Sequence, residues 1–386
     1  TMSFAARIEN YTARVDAAAT ALSRLGIASG DRVCISATRS MALVESILAV
    51  MRLGATYVPV DPEYPASRRA AIYATVRPQL LLSDADSGDV AAGDIRHVVI
   101  GDLLDGKPPA EEARAALPDW SQLRLDDLAY VLFTSGSTGT PKGVPVSQEG
   151  LAVYLHWAVS VYADEGPVTM PLLTSIAFDL TVTSLFLPLL CCGCVVVYTP
   201  TTDSFDDSLF RAVEDDVVDT IKLTPSHLRM LQRLDLHRSR IRNLVVGGEQ
   251  LTVDIADSIG RQFDNVRIFN EYGPTEAVVG CMIHQHIRTG THTGADDEGP
   301  KTLGAHAVPI GKPAAHTRIY LLNGARQPVH PEVTGEIYVH RTGAPTAYLD
   351  DPEATAGAFF PDLVSPDATM YRTGDLARFN EHGDLV

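Results

Sequence analysis

Two hydrophobic rhythms alternate along this chain. Short apolar runs rich in Val, Ile and Leu are separated by longer stretches whose apolar residues recur at helical spacing. "DRVCIS" (31–36) has the first rhythm, "SMALVESILAVMRLG" (40–54) the second, and "TYVPVD" (56–61) returns to the first. The same reading predicts strands at "QLLLSD", "RHVVIGD", "AYVLFTS", "VTMPLLT", "CVVVYT", "TIKLT", "NLVVGGE" and "VRIFNEY", with helices in most of the gaps. That alternation predicts α/β units with largely parallel sheets. The very apolar run "LTVTSLFLPLLCCGCVVVY" (180–198) contains Pro188 and Gly193, which divide it into a helix, a turn and a strand. No run is long enough to span a membrane, and no signal peptide is visible. A Gly/Thr/Asp-rich stretch at 288–307 predicts a long loop, and beyond it "RIYLLN" and "GEIYVHRTG" read as strands. The expected organisation is an α/β part over about 1–290, made of two subdomains, and a smaller β-rich part over about 291–386.

One position breaks the rhythm. Lys222 lies in "DTIKLTPS", with Ile221 and Leu223 on either side. A lysine in a strand buried on both faces is costly without a partner. At a sheet edge it would instead snorkel to solvent.

Composition narrows the possible roles. The chain has 386 residues, of which 45% are hydrophobic and 20% charged, as in an ordinary globular protein. Its formal charge of -17 argues against a nucleic-acid backbone or an anionic membrane as partner. It leaves open a local anion site built from backbone N–H groups and a lysine or two. The cysteine number is odd and Cys191, Cys192 and Cys194 are crowded into "CCGC". This suits a reduced, cytoplasmic setting better than a disulfide framework. No Cys or His pair follows "CCGC" at a zinc-like spacing, so these are expected to be small buried core residues.

"FTSGSTGTPKGV" (133–144) follows the strand "YVL". Glycines let a loop turn its N–H groups toward one point, and hydroxyls with a lysine complete a polyphosphate cradle. Thr134, Ser135, Gly136, Ser137, Thr138, Gly139 and Lys142 supply those groups. A Walker loop is excluded, because Lys142 is flanked by Pro141 and Gly143 rather than followed by Ser or Thr.

The loop resembles the phosphate loop of the adenylate-forming enzymes, which include acyl-CoA synthetases, luciferases and the adenylation domains of nonribosomal peptide synthetases. "LGATYVPVDPEYP" (53–65), "NEYGPTEA" (270–277) and "YRTGDLAR" (371–378) resemble further signatures of that family, in the family's order. At Thr346-Ala347-Tyr348 the family usually has Arg-Gly-Tyr, so no role is carried onto that stretch. The resemblance implies two helix-flanked, mainly parallel sheets plus a distorted β-barrel. It also implies attack of a carboxylate on the α-phosphate of ATP, giving an acyl-adenylate and pyrophosphate. By the same resemblance Tyr272 stacks on adenine and Asn270 bonds its exocyclic amine, with Gly248, Glu271 and Gly273 bordering the nucleotide. Thr275 contacts the α-phosphate, Glu276 holds Mg²⁺, Asp375 accepts from the ribose hydroxyls, and Lys142 with the loop hydroxyls handles the β- and γ-phosphates. The family's small C-terminal domain, which carries a catalytic lysine, is expected just past "GDLV". The chain is accordingly expected to bind substrates but to adenylate slowly by itself.

"SIAFDLTVTSLFLPLL" (175–190) resembles the substrate segment of amino-acid adenylation domains, with Asp179 where the α-ammonium is paired. Taken alone, Asp179 reads more readily as a helix N-cap that opens an apolar helix. The remaining pocket positions implied by the motifs are Leu180, Thr183, Lys222, Val245, Gly247, Glu271, Val279 and Gly280. Lysine only donates and a carboxylate only accepts, whereas a primary amide needs one of each. Lys222 with Glu271 therefore implies an asparagine-type substrate, with Thr183 assisting. Aspartate, a β-substituted analogue and, further off, a carboxylic acid for a CoA synthetase are the alternatives. A related pocket read as aspartate-specific has histidine in place of Glu271. Loss of Lys222 is expected to cost substrate activation rather than folding. The implied cofactors are ATP, Mg²⁺ and the phosphopantetheine of a peptidyl carrier domain, and an MbtH-like protein is a possible further partner.

Overall fold

The computed structural model describes residues 4–84, 92–104, 117–118, 123–135, 140–200, 206–232, 234–287 and 307–386, with side chains from residue 11 onward. The long loop expected at 288–307 falls almost wholly outside the described residues. The chain divides into two compact units. One comprises Thr1–Ala152, Thr174–Asp179 and Gly343–Gly357; the other comprises Val153–Leu173, Leu180–Thr342 and Ala358–Val386.

The first unit is built on β1 (Arg32–Ser36), β2 (Thr56–Pro59), β3 (Leu80–Ser83), β4 (His97–Val99), β5 (Leu128–Ser135) and β6 (Pro141–Ser147). They form one sheet in the order β4-β3-β1-β2-β5-β6, parallel except for the β5–β6 pair. β2 and β3 are buried at every residue. That is why their sequences read as continuous apolar runs rather than alternating ones. The helix Met41–Arg52 follows β1, and the Ser40 hydroxyl caps it by accepting from the Leu43 N–H.

The second unit contains β7 (Thr169–Leu172) and β8 (Cys194–Val197) as a parallel pair. Its main sheet is β9 (Thr220–Leu223), β10 (Asn243–Val246), β11 (Arg267–Tyr272), β12 (Met282–His286) and β13 (Lys312–Pro313), in chain order from one edge to the other. β9, β10 and β11 are parallel, and β12 and β13 antiparallel. Ile221, Leu223, Leu244, Val246 and Ile268 pack on one face against Leu228, Leu231, Ile255 and Ile259 of the helices Pro225–Leu231 and Val253–Gly260. Side chains alternate along a strand, so Lys222, Val245 and Phe269, which are in register, lie on the opposite face with Glu271.

The antiparallel strands β14 (Thr317–Leu322), β15 (Gly335–Arg341), β16 (Phe359–Pro361) and β17 (Thr369–Ala377) form a sheet in the order β14-β15-β17-β16. Where a distorted barrel was expected, the described strands make an open sheet. Four strands are fewer than small closed barrels use.

The apolar run at 180–198 resolves as expected into the helix Leu180–Leu190, a turn and β8. Its cysteines do not. Cys192 and Cys194 are exposed and Cys191 half-buried, whereas Cys34 and Cys281 are the buried ones. The turn is forced by Gly193, where a Cβ would lie 1.9 Å from the Val168 carbonyl oxygen, and Cys192 takes a left-handed φ of 59°. Among the described residues no cluster of His, Cys, Asp or Glu could hold a metal, and no helix is long and apolar enough to cross a membrane.

Candidate active site

The anomalous lysine has its partner. Lys222 Nζ lies 2.5 Å from Glu271 Oε1, and the two residues are 3% and 5% exposed. Lys222 also donates to Thr183 Oγ1 at 2.8 Å and to the Tyr154 hydroxyl at 3.2 Å. All three ammonium hydrogens are therefore committed. The Tyr154 and Thr183 hydroxyls are themselves 2.5 Å apart. On the other side of the carboxylate, the Tyr162 hydroxyl donates to Glu271 Oε2. Tyr154 and Tyr162 both belong to the helix Gln148–Tyr162. Burial, and then the Glu271 charge, hold the Tyr162 phenol well above its ordinary pKa, so it remains a donor. Rings surround the cluster: Tyr162 packs edge-on against Phe269 at 5.3 Å and against Trp157 at 5.8 Å.

Two glycines make room for Glu271. A Cβ on Gly280 would sit 2.2 Å from its Oε1, and one on Gly247 would sit 2.8 Å from its backbone oxygen. The space beside Gly280 is thus filled by the Glu271 carboxylate. Gly273 is constrained as well, since a Cβ there would lie 1.9 Å from the Val279 carbonyl oxygen. Val278 and Val279 have φ of 60° and 63°, a left-handed conformation that β-branched residues rarely adopt. Buried Arg341 on β15 holds this turn: its Nη1 donates to the carbonyls of Ala277 at 3.2 Å, Val278 at 3.1 Å and Gly280 at 2.5 Å. Its guanidinium carbon also lies 5.5 Å from the Tyr154 ring centroid. Leu180, Thr183, Val245 and Val279 are all buried in this unit.

The next residue of β11 begins the expected nucleotide site. The Tyr272 hydroxyl donates to Asp375 Oδ2 at 2.7 Å, and burial with that bond pushes its pKa far up. Asp375 is oriented in turn: its N–H donates to Thr373 Oγ1, which donates to the Ile337 carbonyl. Asn270 spends its amide hydrogens on the Val308 and Pro309 carbonyls at 3.1 and 2.8 Å. With those hydrogens engaged, the carbonyl oxygen is the acceptor that the expected contact with an adenine amine would need. Thr275 and Glu276 lie on a 3₁₀ turn, Glu276 being 5% exposed, and Gly248 has φ of 81°. One carboxylate suits Mg²⁺, which is held by one or two carboxylates plus substrate phosphates rather than by an all-protein cage.

In the first unit, Thr134 and Ser135 end β5 and Lys142 begins β6, with Thr134 and Lys142 in cross-strand register. The ends of the expected phosphate loop thus lie on two antiparallel strands, and Gly136, Ser137, Thr138 and Gly139 lie outside the described residues. Lys142 Nζ lies 5.0 Å from the centroid of the buried Tyr348 ring, a cation–π contact. The Leu349 N–H donates to the Gly143 carbonyl beside it. Asp179 is half-buried and directly precedes the helix Leu180–Leu190.

Sequence reasoning missed Tyr154, Tyr162, Arg341 and Tyr348. The two tyrosines follow ordinary helical spacing, and nothing local marks any of the four.

The fold and these motifs define a class: the chain belongs to the AMP-binding enzymes, a family that matches residues 9–349. Among curated proteins it is similar to tyrocidine synthase 3 of Brevibacillus parabrevis, at 39% identity over 375 residues covering 95% of this chain and 5% of that protein. It is also 38% identical over 369 residues to bacitracin synthase 3 of Bacillus licheniformis, covering 93% of this chain and 5% of that one. The chain therefore spans only a small part of these relatives. Among solved structures it resembles the N-terminal subdomain of NpsA from Klebsiella oxytoca in complex with 3-hydroxybenzoyl-AMSN, with a TM-score of 0.81 and 22% identity over 97% of this chain and 91% of that one. A four-domain nonribosomal peptide synthetase bound to AMP and glycine superposes with a TM-score of 0.82 at 25% identity, over 97% of this chain and 26% of that one.

Proposed function

We propose that this chain is the substrate-binding core of a nonribosomal peptide synthetase adenylation domain that activates asparagine. The reaction joins L-asparagine and ATP into asparaginyl-AMP and pyrophosphate, and the aminoacyl group then passes to a carrier-domain phosphopantetheine thiol. The observation that carries the reading is the buried Lys222–Glu271 pair, one residue from Tyr272. Such a pair suits a neutral side chain that both accepts and donates. The amide oxygen takes the Lys222 hydrogen now given to Tyr154, its longest bond at 3.2 Å. The amide nitrogen donates to a remaining lone pair of Glu271. An aspartate side chain would meet Glu271 with like charge.

In this reading Asp179 pairs the α-ammonium, a role that a fatty or aryl acid would not need. Tyr272 stacks on adenine, the Asn270 carbonyl accepts from its amine, and Asp375 accepts from ribose while the Tyr272 hydroxyl holds one of its oxygens. Thr275 donates to the α-phosphate, and Lys142 with the Thr134 and Ser135 hydroxyls balances the β- and γ-phosphates. Glu276 would hold Mg²⁺, which neutralises phosphate charge during the transfer. Catalysis of this kind is mostly positioning and charge stabilisation.

The test needs no turnover. Non-hydrolysable sulfamoyl adenylates of asparagine, aspartate and alanine are titrated into the chain by calorimetry. The asparaginyl compound should bind at least about tenfold more tightly than the aspartyl one, as expected when a buried polar group is left mispaired. Equal affinities for all three would refute asparagine recognition. ATP–pyrophosphate exchange in the full synthetase gives the same comparison for turnover.

A further inference from the structure

We infer that Arg341 is a positioning residue for adenylation: by gathering the carbonyls of one strained turn, it aligns the nucleotide end and the side-chain end of the site together. The inference rests on the roles proposed for Thr275, Glu276 and Glu271 and extends them to a residue outside the expected site.

The turn runs from the 3₁₀ segment Thr275–Ala277 to Gly280. Its first end carries Thr275 and Glu276, assigned above to the α-phosphate and Mg²⁺. Its last residue packs on the Glu271 carboxylate with no room for a Cβ. Between the two ends Val278 and Val279 hold φ of 60° and 63°. Residues keep such a backbone only where their surroundings over-determine it. Backbone bonds tie the turn at both ends: the Val278 N–H donates to the Thr275 carbonyl at 3.1 Å, and the Cys281 N–H to the Tyr272 carbonyl at 2.8 Å. In between, the carbonyls of Ala277, Val278 and Gly280 converge on Arg341 Nη1. A cation holds carbonyls more strongly than a neutral donor does, and a site 2% exposed is little screened by salt. The guanidinium is itself packed on rings, with its carbon 5.5 Å from the Tyr154 centroid and 6.0 Å from that of Trp157. Tyr154 in turn accepts from Lys222. One side chain on β15 thus meets both the turn and the helix that braces the Lys222–Glu271 pair. A shift of that turn displaces Thr275, Glu276 and Gly280 at once.

Arg341→Met keeps most of the side chain's length and removes its donors. Calorimetry on the chain reads two quantities: the affinity for ATP with Mg²⁺, and the ratio of asparaginyl to alanyl sulfamoyl-adenylate affinities. Both should fall about tenfold when the charged donor is lost. Arg341→Lys, which offers three N–H donors to the same carbonyls, should bring both back to within about threefold of wild type. In the full synthetase, pyrophosphate exchange at saturating substrates should show a lower kcat for Arg341→Met and a recovered one for Arg341→Lys. A merely structural role would lower the urea midpoint and leave both affinities of the folded protein unchanged, which overturns the inference while sparing the asparagine reading. A fall in one quantity without the other, or no recovery with lysine, also overturns it. A wild-type protein that binds the asparaginyl and alanyl analogues equally overturns both. Should Arg341→Met fail to fold, Arg341→Gln, which keeps a neutral donor, is read in the same titrations: a parallel fall supports the inference and any other pattern overturns it.

Discussion

Replacing Lys222 with methionine keeps most of the side chain's length and removes its charge. Glu271 then remains 5% exposed with Tyr162 as its one charge-facing donor among the contacts described above. Leaving one member of a buried ion pair uncompensated costs about 3–5 kcal/mol. That is a large share of the roughly 5–15 kcal/mol that stabilises a domain. The expectation that losing Lys222 costs activation alone thus gains a folding term. Glu271→Leu should cost about as much, for the mirrored reason. The double variant Lys222→Met/Glu271→Leu buries no charge, and such swaps are commonly neutral or stabilising by about 1–4 kcal/mol. The singles together therefore predict a loss of roughly 6–10 kcal/mol, and the double a change near zero or favourable. Urea unfolding measures this, followed through Trp157, which is 6% exposed and packed 5.8 Å from the Tyr162 ring. Additive single-variant losses would refute the claim that the two charges act as one unit. A double variant that folds but no longer prefers asparagine would separate the pair's binding role from its structural one.

Gly280→Ala should abolish side-chain recognition while leaving ATP affinity within about twofold, since the new Cβ collides with Glu271 Oε1 rather than with the nucleotide turn; paired titrations of ATP and the asparaginyl analogue check this. If Asp375 accepts from the ribose hydroxyls as proposed, Asp375→Asn should weaken ATP binding about tenfold by removing that charged acceptor, with the proposed asparagine preference unchanged in the same titrations. Burial holds the His284 imidazole below its ordinary pKa of 6.5, with Asp384 partly opposing the shift. The unfolded chain therefore binds that proton first as pH falls, so His284 contributes stability that is full above about pH 6.5 and declines below it. His284→Gln should flatten the fall of the urea midpoint between pH 7 and pH 5, and an unchanged slope would refute the assignment.

The parallel strands were legible because period and burial go together: a strand covered on both faces reads as an unbroken apolar run, as in β2 and β3. The Lys222–Glu271 meeting was legible because two charges stood where apolar residues belong. Their braces were not. Tyr154 and Tyr162 look like core aromatics on any helix, and only the packing of that helix over β9 and β11 turns their hydroxyls toward the pair. Arg341 ends a strand, where an arginine usually faces solvent, yet it is 2% exposed because three carbonyls of a strained turn receive it. The "CCGC" reading failed for the opposite reason. Small residues suggested burial, but the backbone reversal at Gly193 leaves Cys192 and Cys194 exposed.

The glycines packed against Glu271 constrain how such a pocket can evolve. Position 280 cannot gain even a methyl group without moving the carboxylate, and position 247 is nearly as tight. Lys222 and Glu271 cannot be exchanged one at a time without passing through a destabilised intermediate. If these residues line the pocket as proposed, single-step drift toward a new substrate is therefore channelled to the buried apolar residues Leu180, Val245 and Val279. On the proposed reading, that route alters the size and shape of the accepted side chain long before it alters its polarity. Descendants of this sequence would then try larger or smaller amides before they tried acids.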